Sequence, residues 1–371
     1  MKEASGGAAD PAKAEPDPGG EELQRGPSRR RFLVTGAAAV IGSVAAAKLG
    51  WDWTEGFHRS ETFIGLADDY ADDLVSVLRD GLGELGWDRA KVRGRSVLLK
   101  PNLVETIPGA VHLHTNPLMV AAVAEVFRRW DATEVLVAEG PAHHTDTWYL
   151  IEKTGMEEIL HEHRLEFVDL NHGETFRRKN PTGFTGLKEL MLPVCLRKAD
   201  YVVSIGKLKT HHWAGITGSM KNLFGLMPGI CYGWPKNLFH ERGITESIID
   251  INATVRPHLG IIDGIVGMQG DGPISGEPRA AGLIVMGNNL PALDATCARL
   301  MEFDPWDIPH LRAASSRLGP IRARHISQRG EPIEPHSIRF ELPDHPYFSQ
   351  FRPGSAPGKV IENPDLTRYH S

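Results

Sequence analysis

Short apolar runs alternate along this chain with longer stretches in which apolar residues recur every three to four positions. The runs at 62–66, 96–99, 134–138, 165–170, 201–205, 259–262 and 282–286 predict buried strands, with a last short one at 337–342. The periodic stretches predict helices. Residues 68–85 place Leu74, Val77, Leu78, Leu82 and Leu85 on one face, and 117–130 opens on Pro117, which suits a first helical turn. Further helices are predicted at 147–163, 245–255, 291–301 and 309–318, and the segment 174–195 reads as a strand pair or excursion. Strands alternating with helices predict an α/β fold, a largely parallel (mixed) sheet flanked by helices. With no internal repeat, residues 48–342 are expected to form a single α/β domain, and the Pro-rich tail 343–371 to wrap its surface.

Sheets of this kind bind ligands beyond the carboxyl ends of their strands. The apolar runs break there into polar groups: Lys100 and Asn102, then Glu139, then Asp169 with Asn171 and His172. The series continues with Lys207, Lys209 and His211, then Asp263, then Asn288 and Asn289. Residues 204–225 are the most concentrated part. Lys207, Lys209 and His211 alternate, so an extended backbone points them to one face. Thr217-Gly218-Ser219 then suits the start of a helix carrying Lys221 and Asn222. A helix N-terminus beside lysines favours an anion. Two ammonium groups ~6 Å apart repel by about 3 kcal/mol at an effective dielectric of about 20. Lys100, Lys207, Lys209 and Lys221 therefore need an offset, either from Glu139, Asp169, Asp263 and Asp271 or from a bound phosphate or carboxylate. A lysine desolvated among other cations also loses basicity, which suits a general base or a Schiff-base amine.

Composition narrows the function classes. The chain has 371 residues and a net charge of -6, with no long basic block outside the N-terminus, so nucleic-acid binding by bulk charge is not expected. Cys195, Cys231 and Cys297 are isolated and form no Cys-x-x-Cys, so an iron–sulfur cluster is not expected from this chain alone. His211, Asp263 and Asp271 form a candidate set for a divalent metal. Gly264–Gly272 lacks the lysine and the spacing of a nucleotide loop, and neither a Gly-x-Ser-x-Gly elbow nor a His-Glu-x-x-His motif occurs. The loop 229–243, with Tyr232, Trp234, Pro235 and Phe239, reads as packing or a lid.

The N-terminus reads as a disordered tail followed by an export signal. Arg29-Arg30-Arg31-Phe32-Leu33 precedes an Ala/Gly-rich apolar stretch from Thr35 to Ala47, ending in the small-x-small run Ala45-Ala46-Ala47. This resembles a twin-arginine signal with Arg29 and Arg30 as the pair. It implies the twin-arginine translocase as a partner and a periplasmic or other extracytoplasmic location. The membrane is touched only through this segment, if it stays uncleaved.

Several of these pieces resemble the domain-of-unknown-function 362 family. They are Lys100-Pro101-Asn102, Thr115-Asn116-Pro117, Lys207-x-Lys209-Thr-His211 and Thr217-Gly-Ser-Met-Lys221-Asn222-Leu-Phe-Gly225, with Asp263-Gly264, Gly270-x-Gly272-Pro273 and Asp294. The resemblance covers about residues 62–305 and implies that the strand-end lysines belong to the family's motif; it brings no settled activity. Some relatives carry ferredoxin-type cysteines, which this chain lacks. The expectation is an exported enzyme acting on a small anionic ligand, with metal assistance as an option. Lys207, Lys209, His211 and Asp263 would serve catalysis, and Lys100, Asn102, Lys221, Asn222, Glu139, Asp271 and Asn288 would hold the ligand. The alternatives are a non-catalytic periplasmic binding protein for an anion, metal or cofactor, and a redox-associated protein.

Overall fold

The computed structural model describes residues 59–107, 109–141, 146–343, 348 and 351. The leader, the His143-His144 pair and nearly all of the tail lie outside the described residues. What is described belongs to the unit Trp53–Ser371. The fold is α/β, built on a mixed, mostly parallel nine-stranded sheet. Its strands are β1 (Ser60–Leu66), β2 (Ser96–Lys100), β3 (Glu134–Glu139) and β4 (Glu166–Asp169). They continue, after a separate hairpin of β5 (Thr175–Lys179) and β6 (Glu189–Pro193), with β7 (Tyr201–His211) and β8 (Gly215–Gly218). The last three are β9 (Leu259–Gln269), β10 (Glu277–Gly287) and β11 (Ile326–Gly330).

The sheet order is β11-β1-β10-β9-β7-β2-β3-β4, with β8 paired to β7. Pairing along this path leaves only β8 and β10 running against the others. Four longer helices cover the sheet: α1 (Leu74–Glu84), α2 (Pro117–Arg129), α3 (Ile244–Val255) and α4 (Leu290–Leu300). Their starts are fastened by side chains. Asp73 accepts from Ser76 N at 3.1 Å, Asn116 from Leu118 N at 2.9 Å and Asn289 from Ala292 N at 3.1 Å. One core layer joins α1 and α2 to Val203, Ile205, Ile261 and Ile284 of the sheet. The other joins α3 and α4 to Leu98, Val202, Ile262 and Val285. Strands β1 to β4, β7, β9 and β10 thus have apolar side chains in both layers, which is why the pattern reads as runs rather than alternation.

Differences from the sequence pattern have local causes. Helix α1 starts at Leu74 rather than 68 because Asp73 caps it. The helix expected at 147–163 is cut into Thr147–Lys153 and Met156–Glu162 by Gly155, whose φ is +74°. The segment expected as a strand at 337–342 joins no ladder. It bonds instead to the end of α4, with Ile338 N donating to Leu300 O at 2.7 Å, while Glu341 O receives Gly270 N at 2.8 Å. The sheet takes its edge strand from 326–330. Of the tail, Phe348 and Phe351 are buried in the second core layer.

Candidate anion-binding site

Strands β2 and β3 end side by side while the neighbouring β7 runs on to His211, and a cavity of about 240 Å³ opens beyond the ends of β2 and β3. Among the described residues its wall includes Lys100, Lys209 and Lys221 but a single carboxylate, Glu139. Asn102, His211, His212, Thr217 and Asn222 are further polar members, and Trp213, Phe224, Pro235, His240 and Ile274 also line the chamber.

Lys100 and Glu139 are both buried and form an ion pair. The Lys100 ammonium also donates to Pro101 O at 2.7 Å and to Asn222 Oδ1 at 3.0 Å. Burial pushes the ammonium down and the carboxyl up, and each partner pulls the other back. Gly225 is required at this point, because a Cβ there would overlap Glu139 Oε1 and stand 2.6 Å from Lys100 Nζ. Glu139 thus neutralises Lys100 and leaves the other two cavity lysines without a carboxylate partner among the described residues.

Lys209 is buried and, among the described residues, donates only to backbone carbonyls, Leu113 O at 3.1 Å and Pro273 O at 3.4 Å. Burial, then the charges of Lys221, Lys207 and Lys100, hold its ammonium well below the usual lysine range. Lys221 lies 4.0 Å from the ring centre of Phe224. Burial, followed by repulsion from Lys100, brings its pKa down to about 7. His211 accepts at Nδ1 from Trp213 N at 3.1 Å and Ala214 N at 3.3 Å, so the neutral ring carries its proton on Nε2. Burial and the neighbouring Lys221 hold the ring neutral, well below the usual histidine range.

The turn carrying Lys221 is a 3-10 helix, Lys221–Leu226, rather than the expected α-helix, and Thr217 and Gly218 belong to β8. Buried Asp294 of α4 holds the turn by accepting from Ser219 N at 2.7 Å, Ser219 Oγ at 2.7 Å and Met220 N at 2.9 Å. Desolvation raises its pKa to about 6, opposed by those same bonds.

Lys207 and Asp263 are placed apart from the cavity. Lys207 Nζ donates to Asp263 Oδ2 at 2.8 Å and to Tyr70 OH at 3.0 Å, and Tyr70 OH donates to Asp263 Oδ1 at 2.8 Å. The pair is fully buried, and Asn116 N adds a bond to Asp263 Oδ2 at 2.9 Å. The alternation expected to align Lys207 with Lys209 and His211 is broken, because the register of β7 shifts against both β8 and β9 just after Lys207. Asp271 lies 3.6 Å from the His212 ring nitrogen and is not part of the cavity wall. Asn288 sits at the opposite end of the sheet, because β10 runs backwards. There it accepts from Trp87 Nε1 at 2.7 Å and donates to Leu85 O at 2.8 Å. His211, Asp263 and Asp271 therefore do not converge, and among the described residues no group of three or more His, Cys, Asp or Glu side chains is arranged for a metal. The three cysteines are free.

Sequence reasoning missed Lys236, Tyr70, Trp213 and His240. Lys236 is buried between the two short helices into which the 229–243 segment folds, Gly229–Tyr232 and Asn237–Glu241. Its ammonium bonds Asn171 Oδ1, which also receives Gly229 N at 3.1 Å. Burial lowers its pKa to about 8 against the pull of Glu139 and Asp169. No spacing marked these residues; a lysine among glycines, prolines and aromatics was the single available signal.

Comparison with known proteins agrees with the motif content. The protein-family profile described as Domain of unknown function (DUF362) matches residues 97–299. Thylakoid-associated protein sll1697 of Synechocystis sp. is 31% identical over 283 residues, which is 74% of this chain and 84% of that protein. Among solved structures, the lactate racemase apoprotein of Thermoanaerobacterium thermosaccharolyticum gives a TM-score of 0.33 at 14% identity, over 56% of this chain and 51% of that one. A structural-genomics protein of Thermotoga maritima gives 0.31 at 15%, over 58% and 55%. The chain spans about half the length of these two structures, and both likenesses are distant.

Proposed function

The chain belongs to the DUF362 family, and from that premise we propose that its cavity binds a small organic anion, a carboxylate or phosphate, and that the protein acts on it as an enzyme. The observation that carries this reading is the imbalance of charge in the wall: three lysines against one carboxylate that is already paired. An anion placed between Lys209 and Lys221 relieves their mutual repulsion and meets the Nε2–H of His211. Trp213, Phe224 and Ile274 offer apolar contact to the remainder of the molecule. A Lys221 amine near pH 7 can accept or release a proton at neutral pH, the property a general acid or base needs. Lys207 and Asp263, outside the wall, act by fixing the strand that bears Lys209.

Calorimetric titration with inorganic phosphate and short carboxylates tests the binding step. Wild-type protein is expected to bind, more weakly as salt rises, and Lys209→Met and Lys221→Met each to lose at least about tenfold in affinity, as removal of a charged partner predicts. Equal binding by wild type and both variants overturns the reading.

The leader supports export through the twin-arginine translocase to the periplasm or an equivalent compartment. Residues 1–47 fused to a folded reporter should carry it across the membrane, and the double change Arg29→Lys with Arg30→Lys should leave it inside. A reporter whose export ignores that change removes the export proposal.

A further inference from the structure

Two buried atoms in residues of the cavity wall lack partners. Asn102 Oδ1 and Thr217 Oγ1 are enclosed, and neither makes a hydrogen bond among the described residues. The orientation of Asn102 follows from its neighbours. Asn222 Nδ2 donates to Lys100 O at 3.1 Å and to Ser204 Oγ at 3.0 Å, which turns its Oδ1 toward Lys100 Nζ at 3.0 Å. That oxygen also receives Asn102 Nδ2 at 3.1 Å. Turning the Asn102 amide over would set two oxygens against each other, so the group left over is an acceptor. The residues of the wall therefore supply cations for an acid group and, beside them, a buried acceptor that lacks a donor.

We propose that the ligand of this cavity carries a hydroxyl as well as its acid group, and that Asn102 is the residue that selects it. The ligand O–H donates to Asn102 Oδ1 while the acid group faces Lys209 and Lys221. The donor is a hydroxyl rather than an ammonium, because two lysines of the wall already lack carboxylate partners and a third positive charge is repelled. Thr217 Oγ1, able to donate and accept, completes the polar side of the chamber. The inference rests on the anion reading above and goes one step further, to the class of anion.

The test uses matched probes titrated calorimetrically into the purified chain: propyl phosphate against glycerol 1-phosphate, and propanoate against glycerate. The hydroxylated member of each pair is expected to bind wild type about tenfold tighter, the value of one hydrogen bond to an otherwise unpaired buried group. 3-Aminopropyl phosphate should gain nothing over propyl phosphate. Asn102→Ala should bind both members of a pair alike, at the affinity of the member without hydroxyls. If that variant fails to fold, the wild-type comparison decides alone. Binding of all probes with no preference for the hydroxyl overturns this inference and leaves the anion reading standing. Binding of none overturns both.

Discussion

Four lysines of one motif-rich sequence have four environments. Lys100 faces Glu139, Lys207 faces Asp263, Lys209 is held by two carbonyls, and Lys221 lies against Phe224. Burial brings the pKa of the last down to about 7, and the consequence is measurable. Sulfate keeps its charge across this range, whereas phosphate titrates itself. Sulfate affinity should fall as pH rises from about 6 to about 8, as Lys221 loses its proton near pH 7, and Lys221→Met should flatten that profile. The stability effect runs the opposite way with pH. The folded pKa lies below the unfolded one, so the contribution is full above the ordinary lysine value and is lost as pH falls through about 7. At this scale the alternation of Lys209 and His211 and the Lys-Asn pair at 221–222 made the cavity legible. Tyr70 was not legible, because nothing in the sequence ties residue 70 to residue 263; only the sheet order does so.

The elements show where pattern reading stops. Strands β7, β9 and β10 each run longer than their apolar cores, because ladder bonds continue through residues such as Lys207 and Lys209 that a hydropathy pattern assigns to loops. Their polar side chains find partners, Lys207 on the neighbouring strand and Lys209 on loop carbonyls, so the backbone has no reason to stop. The turn after β8 was expected as an α-helix, but Asp294 grips its first two amides and Gly225 must stay close to Glu139, which favours a tight 3-10 turn. Gly225→Ala would force the Lys100–Glu139 pair apart. Such a change should cost about 3–5 kcal/mol, as breaking a buried ion pair does. Denaturant unfolding should show a lower midpoint with an unchanged slope. A variant as stable as wild type would remove the close approach from the account.

In the whole molecule, the sheet sorts residues to its two ends. The α/β class and the place of a cavity beyond strand ends were legible from alternation of runs and periodic stretches. The direction of β10 was not, since an antiparallel strand has the same apolar run as a parallel one, and Asn288 went to the wrong end for that reason. Among the described residues no helix is long and apolar enough to cross a membrane. The chamber itself is assembled from remote pieces of chain, around Lys100, Glu139, Lys209, Lys221, Pro235 and Pro273. A guest seated there is therefore a clasp. At a hundredfold excess over its dissociation constant it would add about 2.7 kcal/mol to the folded state, so heat resistance and survival against proteases would track how much guest the surroundings supply.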